Sequence, residues 1–170
     1  MKVQLTAKEM RDVAWQGIVR HVESIVERKP TPWAGTRKDT INGWGDDIEG
    51  ILSEYCLSLV LGLPWKGAGT FHGTDVGRLE EVRSTHHSGG RLIIRWGDIE
   101  HKADKRFWLV TGLNGAYVIR GWMWCRDTQQ QKWLDQPDPN RRECYAVPQQ
   151  HLQPVQAVQT ILQQNREGIR

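Results

Sequence analysis

The sequence predicts an α+β fold, with two helices first, then a run of short strands, then a polar stretch and a terminal helix. Three observations carry this. Apolar residues recur at helical spacing through Val13, Ile18, Val22, Ile25 and Val26, and again through Ile48, Ile51, Leu52, Tyr55, Leu59 and Leu63. After Gly67-Ala68-Gly69 the pattern changes to short β-prone runs separated by glycine-containing turns. One of these runs, Phe107-Trp108-Leu109-Val110, is apolar on both faces, as a covered central strand should be.

Thr6 and Glu9 form a capping-box pattern that opens the first helix. That helix should end near Arg28, because Pro30 and Pro32 cannot continue it. Lys29 to Gly45 reads as a long loop, ordered in part by Trp33 and Trp44. The second helix is expected to begin near Asp46 or Asp47, two acids well placed for a helix N-terminus. From Tyr55 it is apolar nearly all round, which implies burial on most sides. Gly62 and Pro64 mark its end. Strands are expected at Thr70–Asp75, Leu79–Thr85, Arg91–Arg95, Phe107–Thr111 and Ala116–Arg120. Arg126–Arg142 reads as a polar surface excursion, and a terminal helix follows Pro154.

With 170 residues the chain suits one domain: an N-terminal helix at 6–28, a core at 46–125 and a C-terminal segment at 126–170. No apolar run is long enough to cross a bilayer, so no membrane partner is expected. The first six residues lack the apolar core of a secretion signal, and a cytoplasmic protein is expected. The formal charge of +3 permits a polyanionic partner without demanding one. Cys56, Cys125 and Cys144 are far apart and form no zinc-binding spacing. Tryptophan is over-represented, 9 against 3 Tyr and 2 Phe. Its scatter along the chain favours core packing, with Trp96, Trp122 and Trp124 kept as candidate contacts.

The densest group of ionisable residues on an expected strand is Asp75-Val76-Gly77-Arg78-Leu79-Glu80-Glu81-Val82-Arg83. Glu81 and Arg83 share a face because strand side chains alternate. Asp75 lies across a glycine turn and can fold back beside them. Two carboxylate ligands suit Mg²⁺ or Mn²⁺, which could activate a water against a phosphate. The same alternation also describes a solvated face of cross-strand ion pairs.

Asp75 followed by Glu81-Val82-Arg83 resembles the signature of the PD-(D/E)XK nuclease superfamily, and the chain resembles small nuclease-like proteins of phages and prophages. The matching pieces are Gly50-Ile51-Leu52-Ser53-Glu54, Leu61-Gly62-Leu63-Pro64-Trp65, Asp75-Val76-Gly77 and Glu81-Val82-Arg83-Ser84-Thr85. They continue with Arg91-Leu92-Ile93-Ile94-Arg95, Leu109-Val110-Thr111-Gly112, Gly121-Trp122 and Val147-Pro148-Gln149. Their collinear order over most of the chain is stronger than any single piece.

The resemblance implies a restriction-endonuclease-like core, a central mixed sheet flanked by helices. It implies a DNA substrate, a divalent metal held by Asp75 and Glu81, and host cytoplasm as the location if the chain is phage-encoded. Glu54 matches a helix glutamate that sometimes adds a ligand, with Glu49 as the alternative. Arg83 stands where the signature has lysine. It keeps the positive charge but cannot give up a proton at ordinary pH. Two functions therefore remain open: a nuclease, or a nuclease-fold protein that binds DNA or a protein partner without cleavage.

His86 and His87 follow the Arg83 strand directly and could face a phosphate, although the pattern favours turn histidines in a solvated loop. Arg91, Arg95, Lys102, Lys105 and Arg106 form a basic trend broken by Asp98, Glu100 and Asp104. It reads either as a DNA-backbone contact or as an ordinary mixed surface.

Overall fold

The structure, a computed structural model, describes residues 1–26, 42–67, 73–136 and 142–167. Most of the expected loop at 29–45, with Trp33, lies outside these residues, as does His72. The elements in chain order are β1 (Lys2–Gln4), α1 (Ala7–Val26), α2 (Asn42–Leu61), β2 (Glu80–Thr85), β3 (Leu92–Ile94) and α3 (Trp96–Lys102). They continue with β4 (Arg106–Leu113), β5 (Ala116–Trp124), β6 (Leu134–Asp135), β7 (Cys144–Val147) and α4 (Val155–Glu167).

The α+β expectation is met, with a mixed sheet flanked by helices. Four strands run in the order β1-β5-β4-β2. β2 lies parallel to β4, and the other two pairings are antiparallel. A second, antiparallel sheet has the order β3-β7-β6.

The large sheet is covered on both faces. One face packs on the helices through Val82, Trp108, Val110, Tyr117 and Ile119 against Ile51, Leu52, Leu57 and Val158. The other packs on the small sheet through Phe107, Leu109 and Met123 against Leu92, Ile94 and Val147. Burial on both sides is why β4 reads as an unbroken apolar run rather than an alternating one.

Local sequence explains the main boundaries. The Thr6–Glu9 capping box forms: the Glu9 N–H donates to Thr6 Oγ1 at 3.2 Å, and the Thr6 N–H to Glu9 Oε2 at 2.7 Å. Gly17 lets α1 close on α2, since a Cβ there would lie 2.7 Å from Ile48 Cα. At the end of α2, Gly62 takes φ 61° and the Leu63 N–H reaches the Ser58 carbonyl at 3.2 Å, a Schellman closure. Asn114 and Gly115, at φ 54° and 85°, make the two-residue turn between β4 and β5.

Several expectations change. α2 begins at Asn42, before Asp46 and Asp47. Asp47 is turned instead to α1, 2.6 Å from Nδ1 of the buried His21. Gly73–Asp75 is not a strand, and Val76 makes only isolated bridges, to Trp65 and Glu80. The 126–142 stretch is not wholly a surface excursion, because Thr128 and Trp133 are buried and β6 pairs with β7. Trp122 is core, with its indole N–H on the Pro154 carbonyl at 3.1 Å, so it is withdrawn as a contact. Trp15, 62% exposed, is not core. Among the described residues no helix is long and apolar enough to cross a membrane.

Candidate functional site

The sequence-derived candidates gather around β2, the outer strand of the large sheet. Alternation along this strand sorts its charges. Glu80 and Val82 face the helices, whereas Glu81 and Arg83 face α3. The adjacent glutamates therefore have different fates. Glu80 is fully buried and accepts from Arg106 Nε at 3.0 and 3.1 Å, from an Arg106 terminal nitrogen, and from Trp108 Nε1 at 2.6 Å. It is a satisfied core carboxylate.

Asp75 arrives where the chain doubles back before β2. Gly77 takes φ 56°, which a side chain would strain, and its N–H reaches the Pro64 carbonyl at 2.9 Å. Val76 and Glu80 exchange backbone hydrogen bonds at 3.2 and 3.3 Å. This return brings Asp75 Oδ2 onto the Val82 N–H at 2.7 Å. That N–H points away from β4, so the carboxylate supplies the partner that a further strand would have given.

Glu81 is 1% exposed. Its Oε2 accepts from Lys102 Nζ at 2.6 Å, while its buried Oε1 has no hydrogen-bond partner. Burial, and after it the charge of Asp75, push the Glu81 carboxyl above its usual range, with Lys102 opposing. Arg83 donates to Asp98 at 2.5 Å and lies over the Phe107 ring, while its buried Nε is unpartnered. Burial works against the Arg83 charge. Asp98, with Asp75 and Glu81 behind it, outweighs that and holds its pKa above the ordinary value.

Glu54 comes from α2 and is also near Asp75. Both of its oxygens are held by Arg20 of α1, at 2.6 and 3.0 Å. Burial first, and Asp75 second, raise its pKa to about 7 against the pull of Arg20. Asp75 thus acts electrostatically on Glu54, Glu81, Arg20 and Arg83, and is the hub of the group. Glu49 is turned elsewhere, to the Tyr117 hydroxyl and the Asn114 N–H. Five residues along a helix rotate a side chain by roughly 140° from Glu54, which separates the two.

The outer candidates are spread. His86 and His87 are exposed, with ring centroids 3.8 Å apart and ring planes tilted by 44°. Arg91 pairs with Asp135 at 2.6 Å, and Arg95 is exposed at the start of α3.

Sequence reasoning missed Arg20, and it placed Lys102 and Asp98 only in a mixed basic trend, not as partners of Glu81 and Arg83. Asp98 and Lys102 stand four apart on α3 and meet Arg83 and Glu81, two apart on β2. The spacings match, about 6 Å along a helix and about 7 Å along a strand. The available signal was that i,i+4 charge pair opposite an i,i+2 pair of reversed sign.

Asp75 and Glu81 offer hard carboxylate oxygens, and the unpartnered Glu81 Oε1 is a natural ligand atom for a divalent cation. The donor set fits an ion that keeps several waters. Among the described residues no group of three or more His, Cys, Asp or Glu side chains is arranged around a common metal position. Comparison with known proteins gives no match: no family model, no curated protein and no solved structure matches the chain.

Proposed function

We propose that this is a metal-dependent, nuclease-like protein with a restriction-endonuclease-like core, acting on DNA phosphodiester bonds. One observation carries the reading. A buried carboxylate, Glu81, keeps one oxygen unpartnered beside Asp75 while its other oxygen is held by Lys102. Lys102 answers the charge, but a buried oxygen without a partner still costs free energy that a donor or a cation at that oxygen would offset.

Asp75 and Glu81 would hold Mg²⁺ or Mn²⁺. When bound, the metal supplies Lewis-acid stabilisation of the phosphate and a more acidic water. Lys102 places a positive charge where phosphate oxygens would lie, the electrostatic role that the signature gives to lysine. Arg83, engaged by Asp98, braces α3 against β2 and so keeps Lys102 on Glu81. Arg20 holds Glu54 behind Asp75. Arg91, Arg95, His86 and His87 would meet the DNA backbone.

A second reading, binding to DNA or a protein partner without cleavage, draws on two contacts. Arg83 is committed to Asp98, and both Glu54 oxygens are committed to Arg20. The two readings separate on single- and double-stranded DNA incubated with Mg²⁺ or Mn²⁺. The nuclease reading expects cleavage that falls about 100-fold or more in Asp75→Ala and Lys102→Ala. Cleavage unchanged in Asp75→Ala, or none with either metal, overturns it. DNA affinity without turnover then supports the second.

A further inference from the structure

Beside Glu81 opens a cavity of about 500 Å³, bounded by Lys66, Thr74, Arg78, Glu81, Lys102 and Lys105. We infer that this cavity binds a phosphomonoester dianion, the 5′-phosphate of a DNA strand end or of a free nucleotide, and that it does so without a metal.

The charge balance points to the ligand. Four cations line the cavity with one carboxylate among them. Lys102 is answered by Glu81 at 2.6 Å, and Lys105 is answered by the exposed Asp104 at 3.4 Å. Among the described residues Lys66 donates to a neutral group, the Thr74 hydroxyl at 3.0 Å, and Arg78 makes no ion pair. Both residues are exposed, so their charges stand at the cavity with no carboxylate partner among the described residues, open to an anion. A phosphomonoester carries close to two negative charges at neutral pH and three acceptor oxygens, whereas a diester carries one charge.

The wall is also prepared. Thr74 is buried and donates to the Gly77 carbonyl at 2.8 Å, so the hydroxyl that holds Lys66 is itself fixed by the turn carrying Asp75. Glu81, the one carboxylate of the lining, is already paired with Lys102 at 2.6 Å and so leaves the net charge of the wall positive. The volume lies within the range of small-ligand pockets, roughly 300–1,000 Å³, and suits one nucleotide rather than a duplex. Gly97 of α3 also lines the cavity, and a Cβ there would meet nothing within 4 Å.

The test uses the full chain in EDTA, so it is independent of metal-dependent cleavage. Affinity is measured for one single-stranded oligonucleotide with a 5′-phosphate and with a 5′-hydroxyl, with a deoxynucleoside 5′-monophosphate as competitor. The native protein should prefer the phosphorylated end by about ten-fold, the worth of one charge-assisted contact. Arg78→Ala should lose that preference by removing charge. Gly97→Leu should lose it by filling space, and neither change removes a packing contact that the fold needs. Competition by the monophosphate at similar concentration assigns the pocket to free nucleotides, and its failure to compete assigns it to strand ends. Equal affinity for the two ends in the native protein overturns the inference. So does a preference that survives both substitutions.

Discussion

Lys102 of α3 donates to Glu81 of β2 at 2.6 Å and is the one hydrogen-bonding partner of that carboxylate among the described residues. Glu81 is almost wholly buried, whereas the Lys102 side chain is 30% exposed. Lys102→Met would leave both Glu81 oxygens unanswered and raise its pKa further. A carboxyl whose folded pKa exceeds its unfolded value loses stability as pH rises between the two. The expected loss is about 1–2 kcal/mol at pH 8, after allowing for screening at the exposed lysine, and smaller at pH 5, because a raised carboxyl is more protonated as pH falls. Urea unfolding at both pH values checks this, and an equal loss at the two would contradict it.

Arg20 and Glu54 give a second pH-dependent pair. Glu54 is raised from 4.5 to about 7, so its ionisation erodes stability as pH rises across that interval. Arg20→Met removes both donors to a buried carboxylate. The cost should be about 2–4 kcal/mol at pH 8 and much smaller at pH 5, where Glu54 is neutral with or without its partner. Glu54→Gln should flatten the pH dependence of the native protein between pH 5 and 7. Thermal unfolding across that range reads both effects.

The Glu80–Arg106 pair is structural. Arg106 is 6% exposed, stands over the rings of Trp122 and Trp124, and shares Glu80 with Trp108. Arg106→Met should cost about 3–5 kcal/mol by stranding the Glu80 charge. Adding Glu80→Leu should restore much of that loss, because the double variant buries no unpaired charge. A double variant less stable than Arg106→Met alone would show that the network itself, not its broken half, holds the sheet.

The long elements were legible in the sequence because their signals are summed over many residues. α1 showed in its capping box, although Val22, Ile25 and Val26 of its apolar spacing are exposed, and β4 showed in its double-sided apolar run. Most of the short ones were not. β1 has three residues and β6 two, so their pairing is decided by distant partners rather than by local pattern, whereas the three-residue β3 falls inside the expected strand Arg91–Arg95. α3 has seven residues and presents Asp98 and Lys102 to β2, which in sequence looks like a mixed charged surface. The same limit applied at the site. Asp75, Glu81, Arg83 and Glu54 could be named from spacing and resemblance. Their partners Lys102, Asp98 and Arg20 could not, because they lie 21, 15 and 34 residues away from the groups they hold.

Asp75 has a consequence beyond its charge. By accepting the Val82 N–H it caps the outer strand of the sheet at a point where another chain could otherwise attach. Asp75→Ala would remove the carboxylate and also bare that donor, so loss of activity in this variant could come with self-association. Asp75→Asn removes the charge but leaves a carbonyl oxygen for the same N–H. Comparing the two by sedimentation or light scattering separates the chemistry of the residue from its place at the edge of the sheet.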